Sequence, residues 1–221
     1  MRTALRVDEI GIIAMGSHNE RHGSVLPPDT DAKLAAHVAL EASKKTGAKF
    51  LGVLYTSHEL PEIDTGVHQS AEEVVGELRE CALRAKRALG IKALVVVNGH
   101  GGNDPLREKI VDVGRELGIR IIFNSRLIEL EGPHAGTAEA SMGAAIGIAD
   151  ESKLGVHCDF HRYPEVGFVG LRRARQTYEW AERNAREVEE GGVRIDRALG
   201  ERMIQSSVFS VVNDVMNLCE K

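Results

Sequence analysis

The chain has 221 residues, with 28 Lys+Arg against 33 Asp+Glu for a formal charge of −5, and 43% of its residues are hydrophobic. That is enough apolar material for one compact domain, read here as residues 1–221, because single cores grow to roughly 250 residues before they split. A mildly acidic chain whose basic residues are scattered excludes a general nucleic-acid or anionic-lipid binder, although a local phosphate site stays open.

Residues 9–15 (EIGIIAM) form the first predicted strand, and residues 30–45 carry Leu34, Ala35, Val38 and Ala42 at helical spacing. A second strand is expected over 49–55 (KFLGVLY). Ser70 and Glu73 make a Ser-x-x-Glu capping box that opens a helix running to residue 89. The uninterrupted β-branched run at 92–97 (KALVVV) predicts a strand covered on both faces. A helix from about residue 104 to 117 follows, with Pro105 in its first turn, and then a strand over 120–123. Strand and helix alternating in this way predict an α/β fold with a mostly parallel sheet and helices on both faces. Beyond a less regular stretch at 154–170, helices are expected over 172–190 and 197–219. In the last of these, Ile204, Val208, Val211, Val212, Val215 and Leu218 form an apolar stripe that buries against its own domain or against another subunit.

The apolar run at 10–15 is too short to span a bilayer and follows acidic residues, so no membrane anchor or signal segment is read here. Cys81, Cys158 and Cys219 are far apart and form no C-x-x-C pair. That excludes a disulfide framework and fits a reducing cytoplasm.

Parallel sheets gather ligands at the carboxyl ends of their strands, so the segments after Met15, Tyr55 and Val97 are where chemistry is expected. After the first strand, Glu20 and His22 are two residues apart, which points both side chains the same way on an extended backbone. Asp31 lies past Pro27-Pro28 at a helix start, where the dipole favours an ionised carboxylate. After the third strand, residues 98–103 (NGHGGN) place His100 among glycines that let a ligand approach. Two histidines and two carboxylates suit a divalent cation such as zinc, iron(II) or manganese, and a shared Asp31 suits two of them. Glu139, in the small-residue stretch 134–141 (HAGTAEAS), is either a further ligand or the group that handles protons.

Other features compete. His157, Asp159 and His161 could form a second ligand set, but they lack a strand-end setting, so a loop lining the pocket or an oligomer contact is preferred. Arg172, Arg173 and Arg175 could clamp a phosphate or simply cover a solvated helix face. His68 sits where a pocket residue would. A metal-free nucleotide- or flavin-binding module finds no support, because neither G-x-G-x-x-G nor G-x-x-x-x-G-K-[ST] occurs.

Together, Glu20-x-His22-Gly23 with Leu26-Pro27 and Asp29-Thr30-Asp31, then residues 98–103, then His134-Ala135-Gly136 with Glu139 and Ser141, resemble the creatininase family of metal-dependent amidohydrolases. The resemblance covers about residues 9–145 and implies a single-domain three-layer α/β/α sandwich and assembly into a homo-oligomer. It implies two divalent cations per subunit, Glu20 and His100 holding one, His22 the other, and Asp31 bridging. Glu139 and then His134 are the expected proton donors. Residues 29–35 (DTDAKLA) and 46–52 (TGAKFLG) are similar to a branch that removes formate from a phosphorylated pyrimidine in coenzyme biosynthesis, with iron(II) as the implied metal. Arg21, Arg126 and Arg172 are available cations for its phosphate, none in a diagnostic context. Creatinine-hydrolysing members carry a glutamate two residues after the His100 position; Gly102 stands there in this chain, which makes creatinine an unsuitable substrate. Another amide or lactam hydrolysed by the same family is the alternative.

Overall fold

The computed structural model describes residues 4–220. Four parallel strands, β1 (Ile10–Gly16), β2 (Lys49–Tyr55), β3 (Ala93–Asn98) and β4 (Arg120–Asn124), lie in the order β2-β1-β3-β4. Around them run α1 (Thr30–Thr46), α2 (Ala71–Leu89), α3 (Arg107–Leu117), α4 (Arg126–Glu131), α5 (Thr137–Ala145), α6 (Leu154–His157), α7 (Arg172–Thr177), α8 (Glu179–Gly191) and α9 (Arg197–Glu220).

Alternation along the strands makes the three layers. Ile10, Ile12 and Ala14 of β1 and Val95 and Val97 of β3 face Leu34 and Val38 of α1 and Val208, Val211 and Val215 of α9. Their neighbours Ile13, Met15, Leu94 and Val96 face Leu78 of α2 and Ile110 and Val113 of α3 on the other side. A strand with both faces buried must read as an unbroken apolar run, and all six residues of β3 are buried. The stripe on α9 is thus spent mostly within its own fold, while Phe209 remains exposed.

Local signals set the element ends. Ser70 Oγ accepts from the Glu73 amide at 3.3 Å and the Glu73 carboxylate accepts from the Ser70 amide at 2.8 Å, which closes the expected capping box. Two expectations change. The helix expected over 172–190 breaks at Tyr178, whose extended backbone (φ −121°, ψ 117°) lets its ring stack on Trp180 with centroids 5.5 Å apart. The segment before α3 is a 3-10 helix, Gly101–Leu106, in which Pro105 costs no α-helical hydrogen bond. No helix among the described residues is long and apolar enough to cross a membrane.

Candidate metal centre

The residues picked out after β1 and β3 meet at the carboxyl edge of the sheet. Leaving β1, the chain runs extended and pairs Glu20 with Gly66 in an antiparallel bridge, with the Arg21 amide donating to Thr65 at 2.7 Å. That backbone turns Glu20 and His22 to one side, and both are buried. Asp31 enters from the first turn of α1. Gly99 allows β3 to end against that turn, because a Cβ there would lie 2.3 Å from the Asp31 carbonyl oxygen. His100 follows directly.

Asp31 occupies the centre. Its Oδ1 lies 3.0 Å from His22 Nε2 and its Oδ2 2.9 Å from His100 Nδ1. Glu20 Oε2 is 2.9 Å from the same His100 nitrogen, and Glu139 Oε1 is 3.2 Å from His22 Nε2. The sequence-predicted set therefore divides into two half-sites, Glu20–His100–Asp31 and His22–Glu139–Asp31. His134 flanks them, its ring centroid 4.6 Å from that of His22 and its Nδ1 3.9 Å from Glu20 Oε1.

The outer nitrogens fix which atoms point inward. His22 Nδ1 donates to the Glu20 carbonyl at 3.0 Å, His100 Nε2 to the His58 carbonyl at 2.8 Å and His134 Nε2 to the Arg21 carbonyl at 2.8 Å. A carbonyl only accepts, so each of these nitrogens carries the proton, and in the neutral ring the inner nitrogen offers a lone pair. One nitrogen of His100 then faces two carboxylates, and a single proton serves only one of them; Glu20 Oε2 is left buried without a hydrogen bond. A divalent cation resolves this. Two donors about 2.1 Å from one cation and at right angles lie about 3 Å apart, the spacing seen in both half-sites. The residues fit such a pair: ligand atoms of Glu20, His22 and Asp31, of His22, His134 and Glu139, and of Glu20, His68 and His100 each lie within 4.8 Å of one another.

The electrostatics agree. Burial lowers the tendency of His22 and His100 to charge, yet Glu139 and Asp31 around the first and Glu20 and Asp31 around the second raise both well above 6.5. Burial raises the Glu20 and Glu139 carboxyls, but His100 and His22 respectively outweigh it and hold both below the usual range. Asp31 moves up through burial and the charge of Glu20, against the dipole expectation. Glu20 and Glu139 thus lean on positive charge in their midst, and Asp31 between them is left short of it.

The competing features fall elsewhere. His157 is buried and structural: its Nε2 donates to the Ala135 carbonyl at 2.8 Å and its Nδ1 accepts from the Ser24 amide at 3.1 Å. Asp159 and His161 are exposed. Arg175 pairs with Glu182 and Glu189, Arg173 with Glu62, and Arg126 with Glu129. Arg21 pairs with Asp64. His68 does reach the site, stacked on His100 at 5.1 Å, and burial pulls its imidazole down to about 4.

A cavity of ≈ 360 Å³ opens onto the centre, with Leu60, Ile63, Ile128, Phe168 and Trp180 among its walls. Glu59 and Glu131 also line it, and neither stood out in the sequence. Glu59 follows β2, a strand end where chemistry was expected, so position alone could have marked it. Burial and then the charge of Glu139 push Glu131 well above the usual carboxylate range. Its signal was a glutamate in the last turn of a helix, the end the dipole disfavours.

Known proteins resemble this chain in sequence and in fold. The family profile described as creatinine amidohydrolase, creatininase, matches residues 1–212. The chain is 47% identical over 215 residues to a 2-amino-5-formylamino-6-ribosylaminopyrimidin-4(3H)-one 5'-monophosphate deformylase of Methanothermobacter marburgensis, covering 97% of this chain and 92% of that protein. A protein of the same description from Methanobrevibacter smithii is 43% identical, covering 97% and 94%. Among solved structures, a creatininase variant described as Zn-Zn type superposes with a TM-score of 0.67 at 16% identity, covering 94% of this chain and 90% of that one, which matches the three-layer fold. Sequence profile, near full-length relatives and fold agree, and the chain belongs to the creatininase family.

Proposed function

We propose that this protein is a metal-dependent amidohydrolase that cleaves the formamide of 2-amino-5-formylamino-6-ribosylaminopyrimidin-4(3H)-one 5'-monophosphate and releases formate. The chain acts as one catalytic unit in the cytoplasm. The observation that carries the reading is the pair of half-sites sharing Asp31, found in a chain 47% identical to a deformylase of that substrate.

Glu20, His100 and Asp31 would hold one divalent cation and His22, Asp31 and Glu139 the second, with iron(II) favoured over zinc or manganese. Cations so held lower the pKa of water toward neutrality and polarise a carbonyl oxygen. The rest falls to the side chains. Glu139 serves as a ligand rather than a proton donor: it is held ionised, and its Oε2 already accepts from the Ala135 amide at 2.6 Å. Proton transfer passes to His134, whose outer nitrogen is tied to Arg21 while Nδ1 remains beside Glu20 at the cavity. Its lone pair takes a proton during attack on the formyl carbon and returns it to the departing amine. Leu60, Ile63, Phe168 and Trp180 exclude water around the planar base.

No Lys or Arg among the described residues lines this cavity. The substrate's phosphate therefore lies beyond it, toward the mouth or a neighbouring copy, which agrees with a homo-oligomer. Sedimentation is expected to give a particle larger than one 24.1 kDa chain.

The deciding experiment is anaerobic purification, metal quantification and a formate-release assay on the formylaminopyrimidine phosphate. Two metals per subunit and one formate per substrate are expected. Ring opening of a lactam without formate would move the activity elsewhere in the family. Inactivity with every divalent ion added back would end the hydrolase reading.

A further inference from the structure

Three carboxylates lining the cavity have no task in the chemistry above; Glu59 accepts from the Leu60 amide and Asp104 from the Ser125 hydroxyl, which leaves Glu131. Glu131 ends α4, and Oε1 of its side chain lies 3.8 Å from where a Cβ on Gly101 would sit, which aims it at the loop bearing His100. Among the described residues it makes no hydrogen bond and no ion pair, unlike Glu20, Asp31 and Glu139 around it. An acidic side chain kept at the disfavoured end of a helix, facing a cavity with apolar walls, lacks a structural reason to be there.

The substrate proposed above supplies a matching partner. As its name states, the ring carries a 2-amino group beside the N3–H of a 4(3H)-one, two adjacent donors on one edge. An ionised carboxylate is an acceptor-only fork of two oxygens and can accept from both donors at once. We propose that Glu131 is the specificity-determining residue for the base, accepting from N3–H and the 2-amino group of the aminopyrimidinone while the formyl group points at the metal centre. Donors brought to this carboxylate stabilise its charged form. Phe168 and Trp180, packed edge to face at 5.5 Å, give the same ring an aromatic wall.

This assignment rests on the deformylase reading, and the test separates the two. Calorimetry on the metal-loaded protein measures the Kd of the deformylated product and of its analogue lacking the 2-amino group, while formate release gives KM and kcat for the substrate. The parent protein is expected to prefer the 2-amino ligand about ten- to hundredfold, as for hydrogen bonds to a charged group. In Glu131→Ala that preference collapses and KM rises with kcat little changed; Glu131→Asp restores part of it, and Glu131→Gln stands in should the alanine variant not fold. A preference that survives loss of the carboxylate overturns the assignment, as does a fall in kcat at constant KM, while formate release by the parent protein leaves the deformylase reading intact. A parent protein that binds neither ligand and releases no formate removes both.

Discussion

Asp31 is the residue on which the centre turns, because its two oxygens reach two different histidines at 3.0 and 2.9 Å. Asparagine keeps the shape but offers one neutral oxygen and an amide that repels a cation. Since removing groups that merely orient ligands costs 10–100-fold, Asp31→Asn is expected to bring formate release below about one-hundredth of the parent and to lose at least one metal per subunit, with the circular dichroism unchanged. Retained activity would refute the bridging role. Protons compete for the same sites. The carboxylates around His22 and His100 raise both imidazoles above their ordinary value, so in the metal-free protein the rings hold protons more tightly and metal entry must compete with them. Metal affinity is expected to climb with pH across the neutral range, and calorimetry in buffers of different ionisation enthalpy should count the protons released. Without metal the linkage has a definite direction. The stabilising contribution of the two histidines is complete below 6.5 and lost as pH rises through their folded values. That of Glu20 and Glu139 is present above 4.5 and lost as pH falls through theirs.

Elements position these residues by close backbone approach. α9 crosses α5 so tightly that a Cβ on Gly200 would lie 2.0 Å from the Ser141 carbonyl oxygen. Gly200→Ala must push apart two helices, one of which carries Glu139. A loss of about 1–3 kcal/mol is expected for such overpacking. At about 2–4 °C per kcal/mol for a chain of this size, calorimetry would detect it, and metal content should fall with it because the second half-site opens. Contacts of this kind explain which parts of the molecule the sequence disclosed. The central strands were legible because burial on both faces leaves an unbroken apolar run, as in β1 and β3; Glu20, His22 and His100 were legible because they follow strand ends, and Asp31 because it starts a helix. Glu139 was visible as a candidate with two possible roles; its 3.2 Å approach to His22 and the hydrogen bond it accepts from the Ala135 amide support the ligand role. Glu59 and Glu131 escaped because their significance lies in the cavity they share with residues distant in sequence. The break at Tyr178 escaped as well, since a ring stacking on Trp180 overrides a helical pattern that nothing local interrupts.

For the whole molecule, the metal centre is also a fastener. Its side chains come from the segment after β1, the first turn of α1, the loop after β3 and α5, so cations held there tie together parts of the chain more than a hundred residues apart. The unfolded chain has no such cluster, and binding therefore adds RT ln(1 + [M]/Kd) to stability, about 2.7 kcal/mol when free metal is a hundredfold above Kd. Without metal, Glu20 keeps a buried oxygen with no hydrogen bond and Asp31 stands against its charge, so the cluster is held less firmly than with the cations in place. Chelation is accordingly expected to lower the Tm by about 5–10 °C, and adding back the native metal should restore it. Asp31→Asn should respond less to the chelator than the parent, because it has less metal to lose. If metal analysis showed complete removal while the Tm stayed fixed in the parent, the four segments would be held by packing alone, and the cations would serve only the reaction.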